Sequence, residues 1–307
     1  MTNLAPIIVF CYNRPWHVEQ TLEALSRNEL ADQSILYIYC DGPKPDATDE
    51  QKQKIADVRQ VVRKRQWCKE VYIIEAEQNK GLAANIVDAV TEIVNKYGQV
   101  ITLEDDIITS VGFLRFMNDA LEMYKDDEQV MHISSYMWPH RGKLPNILFY
   151  QVPYPGGGWA TWKRAWQFYT DDTNGLYDYW HTRWDEFNTF GGDYLQIQLE
   201  KNYQGTMKTW FIKWHAVMLQ KGTLTLYPGQ SLTNNIGFDE QATNCYTTNK
   251  FDVVSVDYVK VERKPIKENK RAVREIYAFY QGRWYNRRRR IHMLNKILAF
   301  CHLPQLK

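Results

Sequence analysis

The chain has 307 residues, 44% of them hydrophobic and 24% charged. That suffices for one large α/β domain with additions or for two ordinary domains, and it excludes wholesale disorder, a collagen-like repeat and a disulfide-stapled miniprotein. The net charge of +2 is unevenly spread: residues 260–307 hold fourteen Lys and Arg against three acids, which puts this tail at +11 and everything before it at −9. The asymmetry points to an anionic partner for the tail, either a membrane surface or a polyanion; no nucleic-acid partner is expected.

Pro6 to Tyr12 is a continuous apolar run closed by Asn13-Arg14-Pro15, the pattern of a fully buried strand. A helix is predicted from His17 to Leu25, with Val18, Leu22 and Leu25 on one face. Ile35 to Cys40 reads as the next strand and ends at the turn Asp41-Gly42-Pro43. Asp46 to Arg65 reads as a second amphipathic helix and Val71 to Ile74 as a third strand. Asn79-Lys80-Gly81-Leu82 then opens a helix to about Tyr97, and Val100 to Leu103 is a fourth strand cut off by Glu104-Asp105-Asp106. This alternation predicts an α/β fold with a largely parallel sheet and right-handed crossovers.

The second half is less regular. Phe113 to Tyr124 reads as a helix, Val130 to Ser134 as a short strand, and Pro153 to Gly158 as a flexible loop leading into Trp159-Ala-Thr-Trp162. A Trp- and Tyr-rich helical stretch follows from Lys163 to Asn202, then a Trp-bearing segment from Trp210 to Met218 and a late strand, Leu224 to Pro228. The tail contains two basic helical pieces, Pro265 to Tyr280 and Arg287 to Leu303. In the latter, Ile291, Leu294, Leu298 and Cys301 share a face behind Arg287 to Arg290. The 283–303 segment suits an anionic bilayer surface, and equally a helix docked on the domain with its arginines solvated.

No apolar run approaches the roughly 18 to 20 residues of a membrane span, and the N-terminus lacks a basic leader, so a cytoplasmic working compartment is expected. The five cysteines, Cys11, Cys40, Cys68, Cys245 and Cys301, are scattered and form no CxxC pair; they are read as reduced, mostly buried thiols. Eleven Trp and twenty Tyr offer faces for sugar rings, but core packing is the commoner use of such residues.

Ligands of open α/β sheets bind beyond the carboxyl ends of the strands. Here those ends deliver Asn13-Arg14, Asp41, Gln78 to Gly81 and Glu104-Asp105-Asp106 to one crevice. Three adjacent carboxylates after an apolar strand repel one another unless a hard divalent cation and a phosphate share the site. That favours metal binding over helix capping for Asp106. Arg14 beside such a triplet suits a nucleoside diphosphate. Asp41 is placed to hydrogen-bond a base or ribose, or to close a turn, and Lys80 and Gly81 fit a ligand-binding turn or an ordinary one.

Taken together, Ile7 to Pro15, Asp41-Gly42, Asn79 to Ala83, Leu103 to Ile107 and Gly157 to Trp166 resemble the nucleotide-sugar-dependent glycosyltransferases of the GT-A fold. The chain is most similar to bacterial sugar transferases of surface-polysaccharide loci, and distantly to the N-acetylglucosaminyltransferase I type. The similarity spans roughly residues 5 to 245, including Tyr227-Pro228 and Asn235-Ile-Gly-Phe238. It implies a GT-A-like (Rossmann-like), mostly parallel sheet flanked by helices, with a donor half at 1–110, an acceptor half at 111–259 and a basic helical tail at 260–307.

The resemblance further implies that Arg14 contacts the donor diphosphate or nucleoside, Asp41 the base, and Asn79, Lys80, Gly81 and Asn85 the ribose side. Asp106 would coordinate Mn²⁺ or Mg²⁺ while Glu104 and Asp105 hold sugar or ribose. Gly157, Gly158 and Trp159 would shape the sugar and acceptor pocket. The donor would be UDP-linked, the acceptor a saccharide, free or lipid-linked, and the reaction inverting. Inversion needs a base for the acceptor hydroxyl, yet the acid that relatives carry around Trp210 is replaced here by Lys208 and Phe211. Asp193, Asp185 and Glu186 are the nearest candidates, with Asp193 preferred on its Gly191-Gly192 loop. Without a base the chain would be a silent nucleotide-sugar-binding protein. A nucleotidyltransferase would want a glycine-rich phosphate loop after the first strand, which Asn13-Arg-Pro-Trp16 is not.

Overall fold

The computed structural model describes residues 4–190, 192–239 and 248–282. The first strand, β1 (Ile7–Cys11), is buried at every position, and Pro15 opens the helix that follows, α1 (Pro15–Ser26). Proline suits that place because a first-turn N–H has no intrahelical partner. Next come β2 (Ile35–Cys40) and α2 (Asp49–Val61), the latter started by a reciprocal capping box between Thr48 and Gln51. After β3 (Glu70–Glu75), α3 (Leu82–Tyr97) buries Ile86, Ala89, Val90, Ile93 and Val94, one helical stripe, and ends at left-handed Gly98. It leads into β4 (Gln99–Glu104).

The remaining elements are β5 (Ile107–Thr109), α4 (Phe113–Met123), β6 (Val130–Ser134), β7 (Ile147–Tyr150) and β8 (Trp159–Trp162). The chain continues through α5 (Lys163–Trp166), α6 (Thr173–Trp180), α7 (Trp184–Phe187), α8 (Tyr194–Tyr203) and α9 (Phe211–Gln220). It closes with β9 (Leu224–Pro228), β10 (Thr233–Asn235) and α10 (Lys270–Tyr280).

Eight strands form one sheet in the order β3-β2-β1-β4-β8-β6-β9-β7, and β10 pairs with β5 beside it. The β3-β2-β1-β4 half is parallel throughout. Beyond it β8 runs antiparallel to both β4 and β6, β6 is parallel to β9, and β7 closes the edge antiparallel to β9. The fold is therefore α/β, with a mostly parallel, Rossmann-like sheet flanked by helices. The parallel half is as expected. The antiparallel insertion of β8 was not, because strands of three or four residues such as β5, β7, β8 and β10 are too short to show a period.

Two other expectations change. The single helical stretch from Lys163 to Asn202 is four short helices. Asp172, whose carboxylate caps α6 by accepting from the Gly175 N–H, shows why: polar caps and turns interrupt the run. The helix expected from Pro265 starts only at Lys270, where the Asn269 side chain accepts from the Arg271 and Ala272 N–H groups. Just before it the chain lies along β7, with the Asn269 N–H donating to the Phe149 carbonyl. Ala272, Ile276 and Phe279 then pack into an aromatic cluster with Trp138, Tyr150 and Phe190, so this part of the tail docks on the body. The basic 283–303 segment, Cys245 and Cys301 lie outside the described residues.

Aromatic residues mostly fill the cores. Eight of the eleven tryptophans are 4% exposed or less, against 55% for Trp16. Cys11, Cys40 and Cys68 are buried free thiols. No described helix is long and apolar enough to cross a membrane.

Candidate functional site

Because β1 to β4 are parallel, their carboxyl ends share one edge of the sheet. From β1 the chain delivers Arg14, the residue before α1, and from β4 the triplet Glu104-Asp105-Asp106. The Arg14 guanidinium lies between two of these acids. Its Nη2 donates to Asp105 Oδ1 and, at 2.9 Å, to Asp106 Oδ2, and its Nε reaches Asp105 Oδ2 at 3.4 Å. The three side chains are only 14%, 6% and 10% exposed. From α1, Thr21 Oγ1 donates to the Asp105 carbonyl at 2.8 Å and fixes the turn.

Three carboxylates share a single guanidinium, and the proton affinities of Glu104 and Asp105 register the imbalance. Burial, reinforced by Asp106 and Asp105 and opposed by Arg14, pushes the Glu104 carboxyl up to about 8. Burial also outweighs the Arg14 guanidinium at Asp105 and, with Asp106, pushes that carboxyl up to about 6. Both acids bind protons more readily folded than unfolded, so they oppose stability increasingly as pH rises from about 4 toward 8. Glu104→Gln is accordingly expected to stabilise the metal-free protein by about 1 to 3 kcal/mol at pH 8, and by much less at pH 5. Denaturant unfolding in EDTA at the two pH values measures the difference; an equal effect at both would show that Glu104 carries no such burden.

The excess negative charge is also the test of fit for a divalent ion. Among the described residues no three Asp, Glu, His or Cys side chains converge into a metal cage. Magnesium-type ions, however, are commonly held by one or two carboxylates, with phosphate oxygens completing the shell. Asp106 at the edge of an under-neutralised cluster fits that partial role and would need a diphosphate to finish it.

The cluster is covered from the far end of the chain. Pairing of β10 with β5 sets Asn235 opposite Ile107. Asn235 Nδ2 faces Asp106 Oδ1 at 3.4 Å and the Gly156 carbonyl at 3.2 Å, while its Oδ1 accepts from the Gly237 N–H at 2.7 Å. The Ile236 N–H donates to the Asp106 carbonyl. A Cβ at residue 237 would collide with the Asp106 carboxylate and lie 2.8 Å from Arg14 Nη1, so only glycine lets this segment close over the ion pair. Its end is held by Asp239, whose carboxylate is 3.0 Å from Nε2 of the fully buried His17 on α1.

Asn235, Gly237, Thr21 and His17 were given no role from the sequence. For Asn235 and Gly237 a signal existed in the Asn235-Ile-Gly-Phe238 string. Thr21 and His17 sit within an ordinary helical pattern and gave none.

Asp41 is placed differently from expectation. Its Oδ1 accepts from the N–H groups of Gly42 (2.9 Å) and Lys80 (2.8 Å), and its Oδ2 from Asn79 Nδ2 (2.9 Å) and the Gly81 N–H (3.0 Å). Both oxygens are engaged, so the carboxylate has no acceptor direction to spare for a base and instead staples the β2 and β3 ends together. Gly42 permits the contact, since a Cβ there would stand 2.6 Å from the Gln78 backbone. Lys80 and Gly81 join the staple through their backbone, while Lys80 Nζ reaches Asp88 at 3.5 Å. Asn85 is half-buried in the first turns of α3.

Gly157 and Gly158 form a wall rather than a mobile flap. The Gly157 carbonyl accepts from Ser135 Oγ and Thr233 Oγ1, each at 2.5 Å, and Gly158 is left-handed at φ 84°. Asn235 ties the neighbouring Gly156 to Asp106, which brings this wall to the cluster. The Trp159 ring is not in a sugar pocket. It is 2% exposed and stacks on His132 at 5.1 Å and on Trp210 at 4.9 Å, because β8 is an interior strand.

His132 and His215 are both fully buried, and burial pushes their imidazoles down to about 3 and about 4, so both are neutral packing residues. Asp185 and Glu186 on α7 and Asp193 before α8 are exposed. None of the three makes a described hydrogen bond to the cluster.

No protein-family profile and no curated protein matches the chain. Among solved structures, S. aureus TarS is similar over 46% of this chain and 23% of its own, at 16% identity and a TM-score of 0.28. A cytidylyltransferase from Leptospira borgpetersenii is similar over 44% of this chain and 57% of its own, at 10% identity and a TM-score of 0.28. A UDP-glucose pyrophosphorylase solved with UDP-glucose is similar over 73% and 90%, at 9% identity and a TM-score of 0.35. The chain thus spans about a quarter of the length of TarS. Matches of this size define neither family nor reaction, which rest on the residues of the site.

Proposed function

We propose that the chain is a metal-dependent glycosyltransferase that moves a sugar from a nucleoside diphosphate, UDP above others, to a saccharide acceptor of bacterial surface polysaccharide. The observation that supports this is the buried Arg14–Asp105–Asp106 group with Glu104 beside it, at the edge of the sheet where ligands of such folds bind. Arg14 offers a fork for phosphate oxygens. Asp106 would hold Mn²⁺ or Mg²⁺ together with the diphosphate, and the bound ion would neutralise the charge that develops on the departing diphosphate. The stapled Asp41 and Asn79–Gly81 turn shapes the nucleoside side, and the Gly156–Gly158 wall excludes water from the sugar side. Asp193 remains the preferred base for an inverting transfer. The reading extends to a lipid-linked acceptor, with the 283–303 segment on an anionic cytoplasmic membrane face.

A silent nucleotide-binding protein is the second reading. It is favoured by the engagement of Asp105 and Asp106 with Arg14 and by the exposure of Asp185, Glu186 and Asp193, none of which makes a described hydrogen bond to the cluster. Turnover separates the two. UDP-sugars incubated with the protein and Mn²⁺ should release UDP, by hydrolysis or transfer, at a rate abolished by EDTA. Nucleotide binding without release across donors and acceptors would establish the silent protein.

A further inference from the structure

A second cleft, of about 360 Å³, opens where the first two turns of α3 face the Tyr169–Thr173 stretch and the chain joining α8 to α9. Its α3 wall is made of small apolar groups, Ala83, Ala84 and Val87. Opposite stands Tyr169, whose ring is held in place by stacking on Trp166 at 4.7 Å and whose hydroxyl donates to Asp171 Oδ1 at 3.1 Å. Just beyond Asn202, Tyr203 stacks on Tyr177 at 4.0 Å and is 45% exposed, which extends the aromatic surface outward.

Four charged side chains line this cleft, Asp88, Asp171, Lys208 and Lys213. Asp171 is paired with Lys213 Nζ at 2.6 Å, and Asp88 with Lys80 at 3.5 Å from outside. Among the described residues Lys208 alone of the four has no ionic partner, and it is exposed. The four lining charges sum to zero, but with Asp171 and Asp88 both paired, Lys208 is left as the unpaired cation of the cleft.

Rigid aromatic faces, fixed polar groups and a single free cation match a sugar ring that bears an anionic group. We propose that this cleft binds the acceptor, and that the acceptor is a saccharide carrying a carboxylate or a phosphate. The assignment of the bound sugar as acceptor rests on the glycosyltransferase reading, whereas binding of the anionic sugar does not. Position agrees with that role. Gly81, at the start of α3, is pinned to Asp41 at the edge of the donor crevice, and residues 83–88 lie only about 3 to 10 Å further along the helix axis. A saccharide seated here would present its next ring to the crevice.

The test is calorimetric titration of the full chain, without donor, with glucuronic acid, glucose 6-phosphate, glucose and inorganic phosphate. One or both anionic sugars should bind about tenfold more tightly than glucose and than phosphate alone, and the tighter of the two identifies the anionic group. Lys208→Glu should weaken that binding about tenfold, Lys208→Arg should restore it, and salt at about 0.5 M should weaken it in the wild type. Equal affinity for glucose and the anionic sugars, no saturable binding, or indifference to Lys208→Glu would overturn the proposal. UDP with Mn²⁺ is titrated into the same samples and should bind Lys208→Glu as it binds the wild type. If the anionic sugar binds and UDP does not, the transferase reading fails and the cleft stands; if UDP alone binds, the cleft assignment fails and the transferase reading stands.

Discussion

Arg14→Ala is expected to destabilise the fold by about 3 to 5 kcal/mol, the cost of stripping the partner from buried charge. Asp105 and Asp106, 6% and 10% exposed, would be left with no guanidinium between them and with Glu104 alongside. The Asp105 carboxyl, already pushed up to about 6 chiefly by burial, would then be raised further, so the folded variant would bind a proton that the unfolded chain releases. Stability lost to the substitution is accordingly largest near pH 8 and shrinks toward pH 5, where the acids are protonated in the folded state. Denaturant unfolding across that range measures it. Arg14→Lys should recover part of the loss, since one ammonium cannot reproduce the Nε and Nη2 fork. Adding Asp105→Asn to Arg14→Ala should also recover stability, with a coupling of about 0.5 to 3 kcal/mol in the double-mutant cycle. A loss below about 1 kcal/mol that does not vary with pH would mean that the guanidinium is not holding these acids in place.

The second large effect concerns turnover rather than stability. Asp106→Asn keeps the shape of the side chain, can still meet Asn235, and relieves the crowding of carboxylates, so the protein should fold at least as firmly as the wild type. UDP release from a UDP-sugar should nevertheless fall by about 10² to 10³, comparable to the loss of one dedicated transition-state contact. The Mn²⁺ concentration needed for half-maximal rate should rise, because a neutral amide is a weaker ligand for a hard cation than a carboxylate. A variant with wild-type rate and metal dependence would remove Asp106 from the chemistry.

Much of the first half of the molecule is legible from residue order alone. Apolar runs such as Ile7–Cys11 and Ile35–Cys40, alternating with helical patterns, read as interior parallel strands, and the polar residues that end parallel strands gather at one edge. The pairing of Arg14 with Asp105 and Asp106 follows from that geometry. What is not legible depends on contacts across long stretches of chain. Asn235 and Gly237 reach the triplet only because three-residue strands β5 and β10 pair over more than a hundred residues, and no local period announces such strands. Asp41 illustrates a different gap. Sequence places it at the crevice, but only coordinates show that four donors already occupy its oxygens. The resemblance assigns Trp159 to the sugar and acceptor pocket, yet its strand lies between β4 and β6, where both faces are covered.

The most direct measurement is a crystal structure of the wild-type chain soaked with Mn²⁺ and UDP, with the manganese located by its anomalous scattering. A manganese peak should appear with an Asp106 carboxylate oxygen about 2.0 to 2.2 Å away, bridging to the diphosphate, with Arg14 turned toward a phosphate oxygen. Nucleotide bound elsewhere, or bound here with no metal peak and with Asp106 still engaged only by Arg14 and Asn235, would contradict the account at its centre.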